Sequence, residues 1–172
     1  MKLRKLEPKD APRMLQWMHD PDAVAHLQGR FREKTQEDCL EFIAASQQTE
    51  NHLHLAIAND EDVYLGTVSL KHIDRQQSDA EFAIAIHPDA MGTGCAAQAM
   101  KQILEKGLTE LGLRRIFWCV SPENRRAVRF YEKGGYPHVE AQTVKAERYY
   151  TLKQIRQLQW YCVQNAQGVK RV

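Results

Sequence analysis

The chain has no apolar run approaching the length needed to span a membrane. It has no strong charge of either sign, since 24 Lys and Arg stand against 22 Asp and Glu for a formal net charge of +2. That balance gives no electrostatic case for binding nucleic acid or an anionic membrane. Paired cysteines are missing too. Cys39, Cys95, Cys119 and Cys162 are scattered with no C-x-x-C spacing, which reads as free thiols packed inside a protein of the reducing cytoplasm. The N-terminus, Met1-Lys2-Leu3-Arg4-Lys5, leads into a short strand-like segment with no apolar signal core, which argues against secretion. No repeat, low-complexity segment or linker interrupts the chain. The expectation is one domain over residues 1–172, long enough for a real core, with a polar tail fraying from Gln164.

What is present centres on the stretch from Asp79 to Leu111. Phe82, Ile84 and Ile86 alternate with Ala83 and Ala85, the period-2 pattern of a strand. His87-Pro88-Asp89 ends it, because proline lacks the N–H that a ladder needs. The turn Met91-Gly92-Thr93-Gly94-Cys95-Ala96 follows. A helix then places Ala96, Met100, Ile103, Leu104, Gly107, Leu108 and Leu111 on one face, with Gly112 as its left-handed cap. Unpaired amides and the helix dipole make such a start attractive to anions, and the glycines allow close approach. The site suits phosphate or pyrophosphate, although a lone Gly-x-Gly is as readily a tight structural turn. No Lys-Ser/Thr follows the glycines, which excludes a P-loop. The turn also does not follow the first strand of a βαβ repeat, which excludes a dinucleotide-binding unit.

Around this centre, Lys2–Leu6 reads as a first strand. Asp10 reads as the cap of a helix carrying Met14, Leu15, Trp17 and Met18. Asp20-Pro21-Asp22 starts another short helical turn through Leu27, and residues 28–32 read as loop. Thr35 with Asp38 resembles a capping box opening a helix to about Gln48, despite an acidic side chain one carbon short. Strands over His52–Ala58 and Val63–Ile73 join the Asp79 strand through tight turns and are expected to be antiparallel. A further strand spans Arg114–Val120. Glu147–Leu152 and Ile155–Val163 read as a closing hairpin, with a helix over 149–159 as the rival, since Leu152, Ile155 and Leu158 also keep helical spacing.

After the Arg114 strand comes Asn124-Arg125-Arg126-Ala127-Val128-Arg129-Phe130-Tyr131-Glu132-Lys133-Gly134-Gly135-Tyr136. It matches every named position of Asn-x-x-Ala-x-x-x-Tyr-Glu-Lys-x-Gly-(Phe/Tyr). Together with the glycine turn about thirty residues earlier, it resembles the GNAT superfamily of acetyl-CoA-dependent N-acetyltransferases. The resemblance spans about Leu53 to Val163. It implies a three-layer α/β/α domain on a mixed, mostly antiparallel sheet splayed at the cofactor site. It implies acetyl-CoA as co-substrate, no metal, and direct attack of a primary amine on the thioester. The opening Leu15–Val24 looks like the branch that acetylates ribosomal-protein N-termini, aminosugars and antibiotics. A small-molecule amine is the expected acceptor. An N-terminal peptide acceptor, or a non-catalytic acyl-CoA-binding module, is the alternative, and a homodimer is compatible with the reading.

The resemblance also implies roles. Tyr131 stands where the family often keeps the acid that protonates the departing thiolate, and an ordinary phenol pKa near ~10 suits an acid at neutral pH; simple packing is the alternative. Glu81, in an Ala-Glu-hydrophobic context, is the base candidate, with a structural ion pair equally open. Backbone amides at Ile84–Ile86 would face the oxyanion and the pantetheine arm. Met91, Gly92, Thr93, Gly94, Cys95 and Ala96 would cradle the pyrophosphate. Met91 replaces the usual Arg or Gln, which implies weaker cofactor binding. Asn124 would anchor the pantetheine arm or cap its helix, a task Ser121 with Pro122 could share. His52 and His54 share a strand face but have no third ligand at metal spacing. Cys95 lacks a partner base, and Arg30, Phe31 and Arg32 fall near the expected acceptor pocket.

Overall fold

The computed structural model describes residues 1–27 and 29–165. Strands are β1 (Lys2–Lys5), β2 (Leu53–Ala58), β3 (Tyr64–Asp74), β4 (Asp79–Ile86), β5 (Arg115–Val120), β6 (His138–Val139) and β7 (Gln159–Gln164). Helices are α1 (Ala11–His19), α2 (Pro21–Val24), α3 (Gln36–Ser46), α4 (Cys95–Glu105), α5 (Arg125–Lys133) and α6 (Leu152–Gln157). The described strands form one sheet in the order β1-β2-β3-β4-β5-β7-β6. All neighbours pair antiparallel except β4 and β5.

The β4–β5 pair carries the consequence for function. It holds for three residues only, Asp79 to Glu81 against Arg115 to Phe117. Beyond Glu81 the two strands diverge, so the edge of β4 from Phe82 to Ile86 has no strand beside it. A second irregularity lies on the other edge of β4. Lys71 pairs with Glu81 and Asp74 with Asp79, so β3 fits His72 and Ile73 into the space opposite Ala80. This is a β-bulge, and His72 takes the left-handed conformation it requires, at φ 51°.

Two layers cover the sheet. On one face α4 and α5 pack over Ile57, Val68, Leu70, Phe82, Ile116, Trp118 and Tyr161. Gly107, just past α4 in a single π-helical turn over Lys106–Glu110, is there because a Cβ would lie 2.6 Å from Ile116 Cδ1 and 2.9 Å from Leu70 Cδ1. Gly112 takes φ 67° beyond it, in keeping with its reading as a left-handed stop. The other face is divided. Trp17, Met14, Cys39 and Ile43 of α1 and α3 pack on Ala56 and Tyr64, while Ala141, Val144 and Ala146 of the segment after β6 pack on Phe117, Trp160 and Cys162. Glu81, in register with Lys71 and Phe117, lies on the floor between these two coverings.

Several expectations are corrected. Asp10 stands at the N-cap of α1, but its side chain makes no cap bond there. Its carboxylate closes the preceding 3-10 turn by accepting the Glu7 N–H, and it binds Arg4 through both oxygens at 2.8 Å. The closing hairpin is replaced by two 3-10 turns, α6 and β7. Thr151 and Gln154 cap α6 reciprocally, a Thr-x-x-Gln signature present in the sequence, and β7 finds its partner in β5 instead. Phe31–Glu33 forms a 3-10 turn inside the expected loop, of which Gln28 lies outside the described residues. Gln164 ends β7, and Asn165 bonds to Arg114 O and Leu108 O; the rest of the expected frayed tail, 166–172, also lies outside the described residues. The Thr35–Asp38 box forms as read, in both directions.

Candidate active site

The turn after β4 is built as an anion cradle. Gly92 and Gly94 take φ 80° and 85°, and nothing lies within 4 Å of a Cβ placed on either. The glycines therefore serve conformation, and leave the backbone open to a ligand. Gly94 is the N-cap of α4, so the amides of Ala96 and Ala97 in its first turn have no partner carbonyl within the helix. Thr93 Oγ1 donates to Ala90 O at 2.7 Å, and the Cys95 thiol points at the same carbonyl from inside the core. Thr93 and Cys95 thus brace the turn. His87 anchors it to α1, with Nε2 2.9 Å from Gln16 Oε1 and Nδ1 3.2 Å from Arg13 Nη2. The sulfur of Met91 lies against the guanidinium of Arg126, in the first turn of α5.

Where β4 and β5 part, Ile84 and Ile86 are half-buried on the open edge. Across the gap α5 begins at Asn124, whose Oδ1 accepts the Ala127 N–H at 3.2 Å; the Asn124 cap is present, and Ser121 caps only the preceding turn at Glu123. Two helical turns on, Tyr131 is 6% exposed, with its ring 5.5 Å from Trp118 and 5.1 Å from Tyr161. Burial pushes its phenol well above the ordinary range, so it holds its proton at any physiological pH. The indole N–H of Trp118 and the hydroxyl of Tyr161 in the same cluster are buried with no hydrogen-bond partner among the described residues.

On the opposite face Glu81 is 3% exposed. The Tyr150 hydroxyl donates to its Oε1. Its Oε2 has no hydrogen-bond partner among the described residues, and lies 3.5 Å from Lys71 Nζ and 3.6 Å from His72 Nε2. Cys119 of β5 is within electrostatic reach of Glu81, Tyr150 and Tyr131, and burial pushes its thiol up to about 11, so it is a neutral wall. The structure thus brings Tyr131 and Glu81 to the two faces of one gap. Tyr150, Lys71, His72 and Cys119 were not foreseen. Tyr150 falls within the expected Glu147–Leu152 strand, and the bulge that aims His72 leaves no mark in the sequence. Among the described residues no group of three His, Cys, Asp or Glu could hold a metal; His54 Nδ1 instead meets Ser69 Oγ at 2.7 Å. Arg30 pairs with Glu33 at the surface and Phe31 packs on Trp17, neither in contact with Glu81.

Comparison with known proteins decides the family. A model of the Acetyltransferase (GNAT) domain matches residues 1–137. The chain belongs to the GNAT acetyltransferase family. Among GNAT relatives, it is similar to the spermidine N(1)-acetyltransferase of Escherichia coli K12, at 30% identity over 79% of this chain and 72% of that protein. It is also similar to the uncharacterized N-acetyltransferase p20 of Bacillus licheniformis, at 28% identity over 74% of this chain and 73% of that protein. The GNAT fold is matched by the spermidine N-acetyltransferase of Vibrio cholerae, solved in complex with CoA and spermine, with a TM-score of 0.77 at 20% identity over 95% of both chains. A GNAT-family acetyltransferase from Bacillus anthracis gives a TM-score of 0.72 at 20% identity, over 95% of this chain and 93% of that one. This chain is therefore a GNAT N-acetyltransferase that uses acetyl-CoA as co-substrate, and the glycine turn and open β4 edge fit that molecule's phosphates and amide-bearing arm. Among the described residues no helix is long and apolar enough to cross a membrane.

Proposed function

We propose that the chain, as one domain, acetylates a primary amine of a small cationic molecule, and that Glu81 and Tyr131 divide the proton work. The observation that carries the reading is the buried carboxylate of Glu81, with one oxygen held by Tyr150 and the other unbonded beside the end of the β4–β5 pairing. An amine is protonated at neutral pH and must lose a proton to attack; Glu81 takes it. The nitrogen lone pair then adds to the thioester carbonyl, whose oxyanion is met by amides of the Ile84–Ile86 edge. Collapse breaks the C–S bond, the Tyr131 phenol protonates the CoA thiolate, and the proton shed by the nitrogen as it becomes a neutral amide restores the phenol. Asn124 and the Met91–Ala96 turn hold the cofactor. The relatives' names favour a polyamine. The Leu15–Val24 opening is all that speaks for an N-terminal peptide and Met91 all that speaks for a non-catalytic module, and the relatives' names favour neither.

The test is release of free CoA thiol from acetyl-CoA across polyamines, aminosugars, amino acids and N-terminal peptides. Polyamine turnover is expected, with kcat falling at least ~100-fold in Tyr131→Phe and in Glu81→Gln. Full kcat/KM in Glu81→Gln at both low and high pH would remove Glu81 from the mechanism, and binding of CoA without turnover of any amine would restore the binding-module reading.

A further inference from the structure

Glu81 has no exposed route for the proton it takes. Its side chain is 4% exposed, Oε1 is occupied by a hydrogen bond from Tyr150, and a carboxylic acid left protonated in place would stop the next turnover. Two groups face the remaining oxygen. The Lys71 ammonium, 3.5 Å away, carries only donors, so it can hold the carboxylate but cannot accept a proton from it. The His72 imidazole is different. Its Nε2 lies 3.6 Å from Oε2, and a neutral imidazole has one nitrogen free to accept.

The placement of His72 is a specific structural device. In an unbroken strand it would alternate to the side opposite Lys71 and Glu81. The bulge, with its left-handed residue at φ 51°, turns it onto their side. The ring is then fixed between neighbours, stacked at 4.1 Å and 10° on Tyr149 and edge-on to His52 at 5.4 Å. Its outer part is 35% exposed and opens into a depression of about 480 Å³ lined also by His52, Asp74 and Tyr149.

We propose that His72 relays the proton from Glu81 to solvent: Nε2 accepts it from the Glu81 carboxyl, and the imidazolium releases it into this depression. The inference rests on Glu81 being the base. His72 touches neither substrate nor cofactor and acts through Glu81. The groups that face it are Lys71 from β3, Glu81 from β4, His52 just before β2, and Arg148 and Tyr149 from the covering segment. Burial lowers its affinity for protons while Glu81 raises it, which leaves the ring neutral, and so able to accept, at pH 7.

Two measurements test the relay. With spermidine as acceptor, His72→Ala should lower kcat about 10-fold with the KM for acetyl-CoA unchanged. Added imidazole should restore kcat in proportion to its concentration, and should leave wild type and Glu81→Gln unmoved. A His72→Ala variant with wild-type kcat, or one whose loss imidazole does not repair, overturns the relay. In protein without any acceptor, the His72 ring followed by NMR should titrate at a lower pH in Glu81→Gln than in wild type. An unchanged midpoint overturns the pairing by itself. A lowered midpoint with undiminished kcat in Glu81→Gln would fault the assignment of Glu81 as base, and with it the relay.

Discussion

Tyr150 shows how much of the candidate site depends on one hydroxyl. It donates to a carboxylate oxygen that is otherwise sealed from water, and a hydrogen bond to a charged group contributes about 2 kcal/mol. Tyr150→Phe should destabilise the protein by about that amount in urea titrations, and should also lower kcat, because the carboxylate is no longer held toward the gap. In the turn after β4, Met91 replaces the Arg or Gln of the resembled pattern, and Arg126 lies on its sulfur from the neighbouring helix. In the cofactor placement proposed above, that contact lets α5 bring a positive charge to the turn. Arg126→Ala should raise the dissociation constant of CoA about fivefold, roughly 1 kcal/mol, by calorimetric titration. An unchanged constant would leave the backbone cradle as the whole of the pyrophosphate site, and a wild-type constant beyond the millimolar range would contradict the cradle itself.

Between elements, the decisive joint is the one that ties the 3-10 turns after β6 to the start of β4. Asp79 is fully buried and binds Arg115 Nη2 at 2.9 Å and Arg148 Nη2 at 2.8 Å. Arg148 also reaches Asp74 at 3.0 Å. Through this joint the segment bearing Tyr149 and Tyr150 is held over Glu81 and His72. Removing one charge from a buried set costs more than the set contributes, because the others are left uncompensated. Asp79→Asn should therefore destabilise by about 3 kcal/mol, and should weaken turnover even where the protein remains folded. Thermal melts and thiol release on the same preparations check both effects. The sequence contained Asp79 and both arginines, but they are 36 and 69 positions away from it, and pairing at that separation leaves no local pattern.

Over the whole molecule, histidines withdrawn from water set a pH limit on stability. Burial lowers His54 from 6.5 to about 4, and lowers His72 and His87 in the same direction. Between about 6.5 and about 4 the unfolded chain binds protons that the native protein refuses, so stability rises with pH across that window. It is fully present above the window and is lost as pH falls through it. The urea midpoint should drop from pH 7 to pH 5, and His54→Gln should flatten that dependence. A midpoint unchanged over the same range would contradict it. By itself the sequence determined what is local or repeated: the strand alternation before Gly92, with Glu81 at its start, the capping box at Thr35, the left-handed stop at Gly112, and the two segments that carry the family likeness, the second with Tyr131 in it. Only the tertiary structure decided where β4 and β5 part, after three pairs, that a bulge turns His72 toward Glu81, and that the segment after β6 closes over Glu81, where the helical rival over 149–159 wins in part. The physical reason is that periodicity and caps act between residues a few positions apart. The opening of a sheet, the aim of a bulged side chain and the partner of a buried carboxylate are set by packing between segments far apart in the chain.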